Sequence, residues 1–265
     1  MDKTSLLGII FGIVAVGVGM VLKGVDIVAL NNPAAFLIIL LGTIASVTIA
    51  FPMSELKNIP KLFKILFTEQ KSIKMTEAIK LFSEWSQIAR KEGILVLEKK
   101  LEEIDDPFLK NGMGMAIDGK TPDYIRDVLL EEIDAMEERH AVGAQIFSQA
   151  GTYAPTLGVL GAVVGLIAAL GDMSDTEKLG HAISAAFIAT LLGIFTGYIL
   201  WNPFANKLRR KSKLEVRMKL LMIEGILSIL EGETPKEIEQ KLSSFLPTDE
   251  RQIFLEDGGS KNEKA

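Results

Sequence analysis

Apolar and charged residues are separated into blocks along this chain. Four stretches, 5–22, 33–52, 152–170 and 182–205, are almost wholly apolar and contain no Asp, Glu, Lys, Arg or His. Each has about the 20 residues that a helix needs to cross a hydrocarbon layer of roughly 30 Å, so four transmembrane helices are predicted. The first stretch differs from a signal peptide. Only Lys3 supplies a basic flank, and no small-residue cleavage site leads into a soluble domain. It is therefore expected to remain as a span.

Between and after the apolar blocks the period changes to that of amphipathic helices. Leu56, Ile59, Leu62, Phe63, Leu66 and Phe67 recur at helical spacing beside lysines, which predicts a helix lying at a membrane surface. Within 76–104, Ile79, Phe82, Trp85, Ile88 and Ala89 share one face. Thr121-Pro122 is a helix-entry signal, an N-cap followed by proline at the first helical position, and it opens a long helix running toward the third span. That helix carries Glu131, Glu132, Asp134, Glu137 and Glu138, a run that an ordinary solvated face would also show. A further amphipathic helix is predicted over 214–230. Thr234-Pro235-Lys236-Glu237 is a capping box that starts another. No strand alternation persists. The fold class predicted is an all-α integral membrane protein. Its segments are 1–52 (two spans), 53–150 (a helical domain), 151–206 (two spans), 207–248 (C-terminal helices) and 249–265 (a polar, disordered tail).

Loop charge sets the expected orientation. The connection 23–32 carries one basic residue, and 172–181 carries one, Lys178. Lys57, Lys61, Lys64, Lys71 and Lys74 follow the second span, and Lys207, Arg209, Arg210, Lys211 and Lys213 follow the fourth. The positive-inside rule then places both termini and the 53–150 segment in the cytoplasm. The chain has 265 residues, mean hydropathy +0.29 and net charge −5, a balance that argues against nucleic-acid binding. With no cysteine and only His140 and His181, it has no disulfide, thiolate or histidine-rich metal chemistry. It also lacks a P-loop, nucleotide fingerprint and nucleophile elbow, so neither an enzyme site nor a cofactor is expected.

An ion pathway through a membrane is usually marked by ionisable residues at depth. The four spans offer only hydroxyls for this purpose, among them Thr43, Ser46, Thr48, Thr156, Ser184, Thr190 and Thr196. A hydroxyl can coordinate a cation or orient water, but it does not carry a proton reversibly near neutral pH. Either the chain conducts nothing, or a partner supplies a titrating carboxylate. Small residues at helical spacing, Gly8 and Gly12 in the first span and Gly158, Gly161 and Gly165 in the third, suit close helix packing within the chain or between subunits. Pro155 and Pro203 are either helix boundaries or kinks on an ion path.

Several segments together resemble the flagellar stator subunits of the MotA/TolQ/ExbB ion-channel family. They are Ala89-Arg90-Lys91-Glu92-Gly93 with Leu97-Glu98, Ala150-Gly151-Thr152-Tyr153-Ala154-Pro155-Thr156-Leu157-Gly158, Gly165-Leu166-Ile167, Ala189-Thr190-Leu191-Leu192-Gly193, and Pro203-Phe204-Ala205-Asn206-Lys207-Leu208. The resemblance covers the chain from Met1 to about Leu246. It implies a homo-oligomeric ring, a pentamer, in membrane lipid around a MotB-type partner whose single span carries the missing aspartate. Ion flow past that aspartate would be converted into torque on the rotor protein FliG, in support of motility and chemotaxis. Arg90 and Glu98 match the rotor-facing charges, Pro155 and Pro203 the two functional prolines, and Thr156 and Thr190 lie on the expected ion path. Without the resemblance, Arg90 and Glu98 would read as a surface ion pair.

Sodium-driven relatives typically carry a threonine in the third span and a Thr-Thr pair in the fourth. This chain has Ala162 within Gly161-Ala162-Val163-Val164-Gly165 and Ala189 before Thr190. A dehydrating sodium ion needs several oxygen ligands, so a proton-driven motor is expected. The alternatives are a sodium-driven stator, a TolQ/ExbB-like energiser of envelope transport, which typically has three spans, and a membrane scaffold without ion flux.

Overall fold

The computed structural model describes residues 3–68, 73–171 and 176–262, with backbone alone from 257 onward. Lys71 and the 172–175 part of the second short connection lie outside these residues. The described residues are overwhelmingly helical, with no strand among them. Four helices are long and apolar enough to cross a membrane: Lys3–Leu22, Ile27–Ala50, Pro122–Leu170 and Thr176–Leu230. The protein is an all-α membrane protein. Two of these helices extend far beyond the apolar stretches that sequence alone delimits. The third begins at Pro122 and runs 49 residues with Pro155 inside it, so Pro155 is not a helix boundary. The fourth continues past Pro203 to Leu230.

The chain forms two compact units, Met1–Gln70 with Arg139–Lys211, and Lys71–Glu138 with Ser212–Ala265. The first holds the apolar spans and the short helix Ile59–Phe67. That helix buries Leu66 fully and packs Leu62 and Phe63 against Ala144, Phe147, Phe204 and Ala205. Gly143 makes room for Leu62, because a Cβ there would lie 2.9 Å from Leu62 Cδ2. Phe63, Phe67, Phe147, Trp201 and Phe204 form a mostly edge-to-face cluster, with Phe63–Phe147 centroids 5.2 Å apart. Such pairs add about 0.5–1.5 kcal/mol each beyond their buried area. The helix's C-terminal carbonyls would otherwise lack partners. Lys211 Nζ donates to Ile65 O (2.5 Å) and Thr68 O (2.8 Å), and Ser5 Oγ donates to Leu66 O (3.1 Å).

The second unit has its own core. The helix Met75–Glu92 presents Ile79, Phe82 and Trp85 inward, as its periodicity predicts, and ends at Gly93 with φ +87°. These pack with Phe108, Met113, Ile125, Leu129, Leu221, Ile226 and Ile238. Asp106 caps Pro107–Ile117 by accepting from the Phe108 and Leu109 amides, and Thr234 caps Pro235–Leu242 in the expected capping box. Glu224 accepts from Arg126 at 2.9 Å and lies 3.6 Å from Lys241, which also reaches Glu233 at 3.2 Å. Thr248–Asn262 is helical rather than disordered. Phe254 supplies the reason: it is buried in this core, with the Lys80 ammonium 6.0 Å from its ring centre.

Candidate functional site

The third and fourth spans meet backbone against backbone. A Cβ added at Gly158 would lie 2.9 Å from both Ala189 O and Gly193 Cα. One added at Gly193 would lie 2.8 Å from both Ala154 O and Gly158 Cα. Real Cβ atoms essentially never come so close to backbone, so two glycines are required at this crossing. The small-residue spacing in the third span thus serves packing within the chain at Gly158. Gly165 faces open space in the protomer, and in the first span Gly12 meets Ile199 while Gly8 meets nothing.

One turn further along, the fourth span changes to a π-helical turn, Thr196–Trp201. The turn presents Gly197 to Pro155. A Cβ at Gly197 would lie 2.6 Å from Pro155 Cγ and 2.8 Å from Gly151 O. Gly151 is the residue whose carbonyl loses its helical partner because Pro155 has no N–H. π-turns are rare and concentrate at functional sites. Thr196 Oγ1 donates back to Leu192 O (2.9 Å) and Gly193 O (3.1 Å), so its hydroxyl is engaged beside the crossing.

The residues singled out from sequence separate into distinct environments. Thr156 is exposed in the protomer and donates to Thr152 O (3.2 Å), whereas Thr190 is half-buried and donates to Ala186 O (3.2 Å). Ala162 is half-buried. Ala189 is enclosed at the crossing of the two spans, where a Cβ added at Gly161 would lie 3.6 Å from its methyl group. Pro203 is exposed and lines a cavity of about 400 Å³ between the first and fourth spans with Thr4, Ser5, Tyr198 and Lys207. There Lys207 Nζ donates to Ser5 Oγ (2.6 Å) and Thr4 Oγ1 (2.9 Å). No group of metal-ligating side chains occurs among the described residues.

Arg90 and Glu98 lie in the second unit, both exposed, on either side of the Gly93 turn. They form no ion pair with each other among the described residues. Arg90 instead donates to Gly232 O (3.3 Å). Its charge also helps hold the Glu237 carboxyl below the ordinary carboxylate range. The larger causes there are the hydrogen bonds from the Thr234 backbone and then its side chain. The local ion pair that sequence alone would favour is therefore not formed, and Glu98 presents its charge to solvent. Sequence reading quoted Gly193 only as part of a motif, and it missed its packing role, Gly197 and the Ser5–Lys207 contact, because a close approach between helices distant in sequence leaves no periodic signal.

Residues 100–219 match the family model of the MotA/TolQ/ExbB proton channel family. The chain is similar to motility protein A of Bacillus subtilis, 63% identical over 99% of this chain and 97% of that protein. Its fold is similar to that of a chain in the flagellar MotAB stator complex of Bacillus subtilis, with a TM-score of 0.90 at 63% identity over 95% of this chain and 99% of that one. It is also similar to a chain of C. jejuni MotAB, with a TM-score of 0.90 at 32% identity over 94% and 97% of the two chains. The four apolar helices, the glycine crossing and these full-length similarities agree, and the chain belongs to the MotA/TolQ/ExbB proton channel family.

Proposed function

We propose that this chain is the MotA-type subunit of a flagellar stator, which conducts protons with a MotB-type partner and converts the flow into torque on the rotor protein FliG. The observation that carries this reading is a deficiency. The four apolar stretches contain no carboxylate, histidine, lysine or arginine, so a proton path needs a titrating group from a second chain. Chains similar to this one over nearly their full length have been solved as MotAB complexes. The positive-inside pattern supports cytoplasmic termini and a cytoplasmic 71–138 and 212–265 unit in the bacterial inner membrane.

In this reading the third and fourth spans face the partner helix within a ring, five subunits by family resemblance, and the first two face lipid. Pro155, Thr156, Thr190 and Pro203 belong to the coupling path, while Arg90 and Glu98 contact the rotor. Ala162 and Ala189 leave too few side-chain oxygens for a sodium site, which supports proton conduction. Four spans speak against the three-span transport energisers. Expressing the chain with its partner in a stator-deleted strain tests the reading. Swimming should return. Normal membrane insertion of both chains without motility would refute it.

A further inference from the structure

We propose that a groove in the membrane unit is a binding site for one anionic phospholipid. The groove encloses about 550 Å³ between the second span, the Ile59–Phe67 helix and the bases of the third and fourth spans. Leu40, Ile44, Val47, Ile146, Ala150 and Trp201 are among the residues of its wall. Its two hydroxyls are already engaged, Thr43 Oγ1 donating to Ile39 O (2.6 Å) and Thr48 Oγ1 to Ile44 O (2.8 Å). Trp201 Nε1 is enclosed without an acceptor. Apart from that one enclosed indole N–H and the two engaged hydroxyls the wall is apolar, and the groove's volume lies in the range of pockets that hold small molecules. Hydrocarbon is the chemistry that fits.

The rim supplies the second half of the recognition. Lys57 sits in the turn between the lining residues Leu56 and Ile59, and Lys61 and Lys64 follow on the exposed face of the same short helix. No ion pair is formed by any of the three among the described residues. A basic strip beside a dry apolar slot, at the end of a span, matches a phosphate headgroup above an acyl chain.

The chain has two tryptophans. Trp85 is buried in the core of the other unit, and Trp201 lines the groove. The test uses the purified complex of this chain with its partner, reconstituted with lipids brominated on the acyl chain. Brominated phosphatidylglycerol should quench the Trp201 contribution, defined by subtracting a Trp201→Phe complex. It should do so at a mole fraction roughly fivefold lower than brominated phosphatidylcholine, the factor expected from one lysine near a headgroup. Ala150→Phe, which fills the slot, should reduce quenching by both lipids. Replacing Lys57, Lys61 and Lys64 by glutamine should remove the preference while leaving hydrocarbon quenching. Absence of Trp201 quenching by either lipid would mean that another chain covers the groove, and equal quenching by both would mean that the lysines do not select an anion. Either result overturns the proposal. Motility plays no part in the test, so it stands apart from the stator reading.

Discussion

Gly193→Ala is the sharpest test of how the membrane unit is held together. The added methyl would sit 2.8 Å from both Ala154 O and Gly158 Cα, against about 3.5–4.0 Å for a comfortable contact. Both obstructing atoms are backbone, so no side chain can rotate away, and the helices must separate by about 1 Å. A gap of that size forfeits a quarter to a half of each dispersion contact along the seam. Overpacking costs typically about 1–3 kcal/mol, and the immobile neighbours here argue for the upper end, about 3 kcal/mol. The assay is thermal unfolding of the purified complex together with the amount of chain in the membrane. The midpoint should fall on the order of 5–10 °C. Gly161→Ala is the internal control. Its Cβ meets only side-chain atoms, the nearest at 3.6 Å, so that variant should unfold within a degree or two of the parent. A Gly193→Ala complex as stable and abundant as the control would refute the crossing described here.

Gly225→Ala should destabilise the second unit by about 1–3 kcal/mol, because its Cβ would lie 2.6 Å from the Phe82 ring; chemical unfolding followed by Trp85 fluorescence checks this. Thr234→Ala should cost about 1 kcal/mol through loss of the N-cap of Pro235–Leu242, read in the same way. Glu237 has a folded-state pKa below its ordinary value of 4.5, so its stabilising contribution is present above that value and is lost as the pH falls through the lower folded value. The acid limb of the stability profile should accordingly flatten in Glu237→Gln. Charge reversal at Arg90 and Glu98 should impair swimming without changing membrane abundance, and normal swimming of an Arg90→Glu, Glu98→Lys double variant would remove these residues from the rotor contact.

The four spans were legible because a bilayer demands unbroken apolar stretches, and the capping signals at Thr121-Pro122 and Thr234-Pro235 marked the start of the long third helix and of Pro235–Leu242. The inward faces of Met75–Glu92 followed from their 3.6-residue period. Other features depended on contacts between distant segments. Pro155 is a potential helix breaker when read locally, yet Gly197 and a π-turn on another helix accommodate its ring. Phe254 anchors a largely polar tail as a helix, and the short apolar run Ile253-Phe254-Leu255 among charges is a weak signal before the pocket that takes Phe254 alone is known. Ala189 shows the same limit for the candidate site. Its identity is plain in the sequence, but its enclosure against the third span depends on Gly158 and Gly161, about eight helical turns earlier in the chain.

Proton conduction with a partner's carboxylate is the central claim, and the swimming speed of a stator-deleted strain carrying this chain and its partner tests it most directly. Speed should be unchanged in sodium-free medium and should collapse when a protonophore is added. Swimming that stops without sodium but survives the protonophore would contradict the account.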